Sequence, residues 1–183
     1  KCKVRKNSEV MLIRNDKLSV VPITTHIDVK KISKKINQTL ILKKIYTINS
    51  WFKKHYKIKP KIGILGLNPH NAELKQKSEE RKIIIPAITK LKKKRVNIKG
   101  PLVSDTVFIS EYKNYDVIVG MYHDQVLSPF KTLYKYDGVN VTLGLKYLRV
   151  SPDHGTAKEL IGKKVAKDTS LTRCIKFVNK FKK

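Results

Sequence analysis

Short apolar runs that alternate with stretches of helical spacing are the feature that most constrains the fold of this chain. Two such runs, MLI and LSVVPI, flank Asn15-Asp16, a pair that favours a tight turn, so residues 10–24 predict a β-hairpin. KIGILGL, YDVIVGM, VNVTLGL and LRV are also predicted strands, because they are short and apolar. Strands alternating with helices predict an α/β fold, and the closely spaced strands at 139–150 predict a partly antiparallel sheet.

The predicted helices follow from apolar residues that recur every three or four positions. This spacing predicts one long helix over 29–56, a second over 78–94, and two more at about 157–161 and 170–181. Ser78 is the predicted cap of the second helix, and Pro86 is a kink or a local start. The segment GPLVSDTVF is expected to form a loop and a helical turn. No internal domain boundary is evident in residues 1–183.

The charge of the chain is strongly positive, with a formal net charge of +27 from 41 Lys and Arg against 14 Asp and Glu. Such a balance raises the possibility of a nucleic-acid or anionic-membrane partner. However, the lysines are spread over every segment, and no aromatic residues are interleaved with them as base-stacking platforms. Solvated helix faces and a coding bias towards Lys, Ile, Asn and Tyr explain the charge more simply, so no specific nucleic-acid or membrane partner is expected.

The two cysteines and the lengths of the apolar runs indicate where in the cell the protein is expected to be. Cys2 and Cys174 lie near opposite ends of the chain and match no metal-binding spacing, which favours a reduced, cytoplasmic protein. No run reaches the roughly 18 apolar residues of a membrane span, and no signal peptide opens the chain. The sequence starts at Lys1 and enters strand material almost at once, so we expect an N-terminal part to be missing.

Three histidines each follow an apolar run: His26 follows VVPITT, His70 follows GILGLNP and His123 follows VIVGMY. Strand ends converge on one edge of a sheet, so the three imidazoles could meet there and bind a catalytic divalent metal. The alternative is that each is a hydrogen-bonded loop histidine. No HExxH or other closely spaced pair decides between the two.

Lys131, Asn140 and Arg149 stand near predicted strand or loop edges in otherwise apolar segments. Two cations and an amide can hold a phosphate or a carboxylate, although in so basic a chain they could equally be solvated surface residues. The segment DHGTA could place backbone N–H groups near an anionic ligand, or Asp153 or Thr156 could simply cap a helix. Neither GxGxxG nor GxxxxGK[ST] is present, so the sequence does not support a Rossmann or P-loop site.

Taken in order, GLNPH, GPLVSDT, MYHDQ, GVNVTLGLKYLR and SPDHGTA resemble the successive signatures of the 4-hydroxythreonine-4-phosphate dehydrogenase family of pyridoxal phosphate biosynthesis. TTH at 24–26 is a weaker piece in the same order. The resemblance covers most of the chain. It implies an α/β fold like that of the isocitrate and isopropylmalate dehydrogenases, with a mixed sheet flanked by helices and a cofactor loop outside the Rossmann pattern. On this basis the chain corresponds to the C-terminal portion of a family member.

The resemblance also implies roles for individual residues and for partners. It implies a divalent metal (zinc, magnesium or cobalt), NAD or NADP, and a homodimer whose site is shared across the interface, with His123 serving the partner subunit. Asp105 and Asp124 are our candidates for proton transfer or for support of the ligands. The implied binding residues are His26, His70 and His123 for the metal; Lys131, Asn140 and Arg149 for the substrate; and His154, Gly155, Thr156 and Ala157 for the cofactor.

The implied reaction is oxidation of 4-phosphohydroxy-L-threonine by NAD or NADP, followed by loss of carbon dioxide. This sequence departs from the family pattern in two ways that affect the expected reaction. NPH is followed here by NAELKQKSEE, where the family usually has a glycine-rich acidic stretch, and the family's N-terminal half, with a His-Thr pair that helps bind substrate, is absent. Little activity is therefore expected of this chain alone. The alternatives are a related hydroxy-acid dehydrogenase and a decayed, basic polyanion-binding protein.

Overall fold

A computed structural model describes residues 9–155, 158–163, 165 and 167–181. Their core is a seven-stranded mixed sheet in the order β4-β3-β5-β2-β1-β6-β7. β4, β3, β5 and β2 are parallel, whereas β1, β6 and β7 continue the sheet with antiparallel pairings. The predicted α/β class and partly antiparallel sheet are therefore confirmed. The strands are β1 (Val10–Arg14), β2 (Ser19–Pro22), β3 (Ile62–Leu65), β4 (Ile98–Leu102), β5 (Val117–Gly120), β6 (Val139–Leu143) and β7 (Arg149–Pro152).

Helices cover both faces of the sheet. They are α1 (Ile32–Lys35), α2 (Gln38–Tyr56), α3 (Ile85–Lys93), α4 (Ser104–Val107), α5 (His123–Tyr134) and α6 (Thr169–Asn179). Shorter turns lie at Val29–Lys31, Pro69–Leu74, Glu111–Asn114 and Lys158–Leu160, and a π-helical turn at Glu80–Ile84 leads into α3. Among these described helices, none combines the length and the apolar character needed to cross a membrane.

The apolar side chains of the sheet form two clusters, one on each face. On one face, β-strand residues pack against α2, α3 and α6 through side chains such as Ile45, Leu91 and Phe177. On the other face, Val126 and Phe130 of α5 pack over the sheet and contribute to a smaller cluster. Burial of these side chains is the main favourable contribution to folding. It also fixes the position of α5, whose first residue is His123.

The predicted helix over 29–56 is wrong in one respect, because it is broken before α2. Ile36 has an extended conformation, and the side-chain oxygen of Asn37 accepts the backbone N–H of Leu40 at 2.9 Å. An Asn at this position caps a new helix by satisfying a free N–H group, which favours ending the preceding turn. The apolar spacing continues across the break, so periodicity alone did not reveal it.

Two further elements were not predicted. Gly100 and Pro101 lie within β4, where a loop was expected; β4 is an edge strand, the place in a sheet where proline is tolerated because one side needs no ladder hydrogen bond. α5 begins within the MYHDQ segment and contains Pro129, so its sequence did not indicate a helix. In contrast, the predicted cap at Ser78 is confirmed, since its hydroxyl accepts the N–H of Arg81.

Candidate functional site

Three neighbouring parallel strands each deliver one histidine to the same edge of the sheet. β3, β5 and β2 lie side by side and run in the same direction. His70, His123 and His26 follow their carboxyl ends, and Asp105 follows β4, the next parallel strand. We call this edge, defined by those four residues, the histidine edge. Its position agrees with the rule that open α/β sheets keep their ligand sites at the carboxyl ends of strands.

Hydrogen bonds beyond the ends of β2 and β5 bring two of the histidines together. The backbone N–H and the hydroxyl of Thr24 both donate to the carbonyl of Met121, at 3.1 and 2.7 Å. The ring centroids of His26 and His123 are consequently 5.6 Å apart. Two imidazoles on one tetrahedral zinc have centroids about 5 Å apart, given Zn–N distances of about 2.1 Å. The spacing of this pair therefore suits a shared divalent ion.

His123 is oriented by its neighbour in the first turn of α5. Its Nδ1 lies 2.7 Å from a carboxylate oxygen of Asp124. A carboxylate can only accept, so Nδ1 is the donor, and in the neutral ring with this tautomer Nε2 carries the free lone pair. A histidine held by a carboxylate in this way is a common arrangement behind a metal ligand. Asp124 therefore contacts His123 directly, and its role in proton transfer or in support of the ligand stays a prediction.

His70 is separated from this pair. It is largely exposed, and its Nε2 lies 3.9 Å from a carboxylate oxygen of Asp105. Among the residues described, no three His, Cys, Asp or Glu side chains are grouped closely enough to hold a metal ion. The structure thus pairs His26 with His123 and pairs His70 with Asp105 farther along the histidine edge. The three-histidine metal site remains a prediction.

The loop that carries His70 has an unusual backbone. Every residue from His70 to Leu74 has a positive φ, between 48° and 57°, where the resembling family usually has glycines. This left-handed region costs roughly 1–2 kcal/mol per residue for side chains other than Gly, and somewhat less for Asn. The turn needs tertiary contacts to hold it. One of these is a hydrogen bond of 3.1 Å from the Asn71 amide to the carbonyl of Pro101.

Glu80 supplies the other contacts. Its side chain is fully buried, and one carboxylate oxygen accepts the backbone N–H groups of Leu67 and Asn68, both at 2.8 Å. The Asn68 amide donates to the same carboxylate. Burial raises the pKa of Glu80, but these hydrogen bonds outweigh it and hold the pKa below its ordinary value. The entry to the His70 loop is therefore fixed by a buried, ionised carboxylate.

Replacing Glu80 with Gln is expected to lower the free energy of unfolding by about 2 kcal/mol at neutral pH, because an amide cannot accept from all these donors. A depressed pKa stabilises the fold above the unfolded value of about 4.3, and this contribution disappears as pH falls through the folded pKa. The difference between wild type and variant should therefore shrink in acid. Urea unfolding across this pH range measures it.

Glu79→Gln is the matched control for this prediction. Among the described residues, Glu79 accepts from the Asn68 amide at 2.9 Å, and its side chain is partly exposed. The free energy of unfolding of Glu79→Gln should therefore fall by less than that of Glu80→Gln. Equal losses for the two variants, or a Glu80 effect that does not depend on pH, would show that the buried carboxylate does not hold the loop.

The structure changes the interpretation of Lys131. It lies within α5, not at the predicted strand or loop edge, and its ammonium is already engaged. It donates to the carbonyl of Asp153 at 2.6 Å and lies 3.2 Å from the Asp153 carboxylate. Burial raises the pKa of Asp153, whose side chain is only 6% exposed, and the charge of Lys131 partly opposes that rise. An anion bound by Lys131 must therefore share it with Asp153.

Asn140 and Arg149 lie on adjacent strands and on one face of the sheet. Thr142 pairs with Arg149, and Asn140 pairs with Ser151. Directly opposed residues of antiparallel strands point to the same side, so all four side chains share a face. Arg149 donates to the Thr142 hydroxyl at 2.8 Å. The two predicted substrate residues are thus near each other and accessible, since Asn140 is only half-buried and Arg149 is exposed.

The predicted cofactor loop follows β7 directly. His154 is exposed, and its Nδ1 lies 2.9 Å from the carbonyl of Gly155. A side chain at Gly155 would meet no atom of the described residues within 4 Å, so a ligand could approach this backbone from that side. Thr156 and Ala157, the remaining predicted cofactor residues, lie outside the described residues. The cofactor assignment therefore stays a prediction.

Comparison with known proteins decides the family. The family model described as pyridoxal phosphate biosynthetic protein PdxA matches residues 1–178. The chain belongs to this family. A curated 4-hydroxythreonine-4-phosphate dehydrogenase from Aquifex aeolicus is 42% identical over 169 residues, which is 92% of this chain and 52% of the relative. A protein from Salmonella typhi named putative D-threonate 4-phosphate dehydrogenase is 39% identical over 168 residues, 91% of this chain and 51% of that relative.

A solved structure agrees with these matches. The crystal structure of 4-hydroxythreonine-4-phosphate dehydrogenase from Klebsiella pneumoniae superimposes with a TM-score of 0.81 at 36% identity, covering 91% of this chain and 51% of that one. The expected dehydrogenase-like α/β fold is thereby confirmed. The chain spans about half the length of the curated relatives it matches.

Three side chains of this PdxA family member were missed as parts of the site. Glu80 belongs to an acidic pair in a very basic chain, which could have indicated a special role. Asp153 was considered only as a helix cap, whereas its carboxylate contacts Lys131. Gln125 stood in the quoted MYHDQ segment without an assigned role. Its hydrogen bonds cross three elements, and no sequence pattern shows such contacts.

Proposed function

We propose that this chain supplies the metal, substrate-anion and cofactor-loop residues of a 4-hydroxythreonine-4-phosphate dehydrogenase. The reaction is NAD- or NADP-dependent oxidation of 4-phosphohydroxy-L-threonine to 2-amino-3-oxo-4-phosphooxybutanoate. This product decarboxylates to 3-amino-2-oxopropyl phosphate, in pyridoxine 5'-phosphate biosynthesis. The observation that carries the proposal is the histidine edge, where adjacent parallel strands present His70, His123 and His26. The family membership supports the same conclusion.

In this proposal His26, His70 and His123 hold a divalent ion such as zinc, magnesium or cobalt. Imidazole nitrogens are a donor set that suits such an ion, and Asp124 would orient His123 as one of the ligands. Held by these residues, such an ion would supply Lewis-acid chemistry to the substrate oxygen that is oxidised. Asp105, whose carboxylate lies 3.9 Å from His70, is our candidate to accept a proton from substrate or to orient that histidine.

The substrate's phosphate or carboxylate is assigned to Lys131 and Arg149, with Asn140 as an orienting donor. Arg149 offers a planar fork of N–H groups, and its exposure leaves that fork accessible. Lys131 is brought towards the cofactor loop by Asp153, the residue that precedes His154. We assign NAD or NADP to the segment from His154 to Ala157, which places the nicotinamide cofactor on the β7 side of the sheet.

We further propose a homodimer in which His123 serves the site of the partner subunit. In such a dimer His26 and His70 of one chain would hold the ion together with His123 of the other, which is consistent with the finding that the described residues of one chain group no three metal-ligating side chains. The residues that the longer relatives carry outside the matched half would complete the substrate site. We accordingly expect little catalytic activity from this chain by itself.

A hybrid protein tests the proposed activity. It joins this chain to the part of the Aquifex aeolicus relative outside the matched region, and NADH or NADPH formation is measured with 4-phosphohydroxy-L-threonine and a divalent metal. We expect metal-dependent reduction of the cofactor that is lost in the His123→Ala hybrid and retained in the Asn15→Ala hybrid. A folded hybrid that binds metal and substrate but forms no reduced cofactor would refute the proposal.

A second candidate is a dehydrogenase for a different phosphorylated hydroxy acid. It is favoured by the relative named for D-threonate 4-phosphate, which is nearly as similar as the relatives named for 4-hydroxythreonine 4-phosphate. The same hybrid separates the two when it is assayed with both compounds. A preference for the substrate without an amino group would favour the second candidate.

A further inference from the structure

The side-chain amide of Gln125 uses all of its hydrogen-bonding groups to join separate parts of the fold. Its oxygen accepts the backbone N–H of Met121 at 2.6 Å. Its nitrogen donates to the carbonyl of Gly66 at 2.7 Å and to the hydroxyl of Ser104 at 2.8 Å. Met121 follows β5, Gly66 follows β3, and Ser104 begins α4 after β4. One amide thus ties together the carboxyl ends of three parallel strands.

Each of these three partners lies just before a residue of the histidine edge. Met121 is shortly before His123, Gly66 precedes the turn that bears His70, and Ser104 is directly followed by Asp105. In the sheet, β4, β3 and β5 are consecutive neighbours. Gln125 therefore spans the part of the histidine edge that contains Asp105, His70 and His123.

The packing around this amide leaves little room for it to move. A Cβ added to Gly120 would lie 2.9 Å from the Gln125 side-chain oxygen and 2.6 Å from Val126. A Cβ added to Gly66 would lie 2.0 Å from the side-chain oxygen of Asn71. All three distances are below ordinary contact, so the glycines allow the strand ends to approach the helix and the loop. The amide is consequently held in one geometry.

We propose that Gln125 is a positioning residue that sets the spacing of His70, His123 and Asp105 along the histidine edge. The inference rests on the proposed metal-binding function of these histidines. It assigns Gln125 no contact with substrate or metal. Its effect is transmitted through the backbone of the strand ends, which the three hydrogen bonds fix relative to one another.

Gln125→Glu is the substitution that removes the donating nitrogen of this side chain with the least change in its size. The variant keeps an oxygen that can accept from Met121, but it replaces the donating nitrogen with an oxygen that faces the Gly66 carbonyl. The hydrogen bond to the Gly66 carbonyl is lost and two acceptors face each other there, whereas the Ser104 hydroxyl can turn to donate to the carboxylate, so the ends of β3 and β5 should separate. Ser104→Ala removes only one of the three bonds. It serves as the milder variant if Gln125→Glu does not fold.

The experiment measures zinc affinity by competition titration and the ring resonances of the histidines by NMR, on the whole chain. Supporting groups around metal ligands typically change affinity about 10- to 100-fold when removed. We expect zinc binding to weaken about tenfold in Gln125→Glu and less in Ser104→Ala, with shifted ring resonances of His70 and His123. Asn15→Ala is the matched control, because it loses two hydrogen bonds in the hairpin turn at the opposite edge. It should change neither readout.

The outcomes separate this inference from the proposed function. If the wild-type chain binds zinc and both variants bind it equally well, the inference is overturned and the proposed metal site stands. If the wild-type chain binds no zinc, the proposed metal site in this chain is refuted, and the NMR comparison alone then shows whether Gln125 positions the histidines. In that case, unchanged resonances of His70 and His123 in the variants would overturn the positioning role, whereas shifts absent from Asn15→Ala would support it.

Discussion

Replacing Lys131 with Met is expected to lower the free energy of unfolding by about 2 kcal/mol at neutral pH. The substitution keeps an unbranched side chain of similar length, but it leaves the carboxylate of Asp153 buried without its cation. Breaking a fully buried pair costs about 3–5 kcal/mol, and we discount this because the Lys131 side chain is 38% exposed to screening water.

The pH dependence of this effect has a definite sign. Burial already raises the pKa of Asp153 above its ordinary value, and removing Lys131 takes away the main opposing influence, so the pKa rises further. A carboxyl with a raised folded pKa destabilises the fold at pH values above that pKa, and the penalty vanishes below the unfolded value of about 3.9. The Lys131→Met variant should therefore recover towards wild-type stability as the pH is lowered.

A double-mutant cycle completes this test. Asp153→Asn in the Lys131→Met background removes the unpaired charge, so it should restore part of the lost stability. Urea unfolding of the wild type, both single variants and the double variant gives the coupling energy. Strictly additive losses, or a Lys131 effect that grows in acid, would contradict a functional link between the two residues through a buried ion pair.

Much of the sheet could be predicted because its signals are local. The β1–β2 hairpin follows from Asn15, whose side-chain oxygen accepts the N–H groups of Lys17 and Leu18 in the turn. The break before α2 depends on a cap at Asn37 within an uninterrupted apolar period, and β4 includes a Gly-Pro pair that is normally a turn signal. In both cases, the neighbouring tertiary structure decided between conformations that the local sequence allows.

The candidate site was predictable to a similar extent. The positions of His26, His70 and His123 follow from strand ends, so the sequence indicates a shared edge even without a structure. It could not indicate how far apart the rings lie, because that depends on contacts such as the Thr24 hydroxyl bond to Met121. Buried charged residues are harder still to predict from the sequence. Glu80 can be buried because the backbone N–H groups of Leu67 and Asn68, distant in sequence, both donate to its carboxylate.

Substituting any one histidine of the proposed metal set with Ala is expected to weaken binding of a divalent ion by at least about 100-fold. The reason is that even supporting groups change affinity about 10- to 100-fold, and a ligand contributes its own bond to the metal. The loss should be largest for His123, whose ring is oriented by Asp124. His154→Ala is the matched control, because His154 is an exposed histidine outside this set.

The most direct measurement is a titration of the purified chain with Co²⁺, followed by its visible absorption, for wild type and for His26→Ala, His70→Ala, His123→Ala and His154→Ala. The proposed site predicts saturable binding by wild type and by His154→Ala, with binding lost or severely weakened in the other three. Absence of binding by wild type, or equal weakening in His154→Ala, would contradict a metal site at the histidine edge.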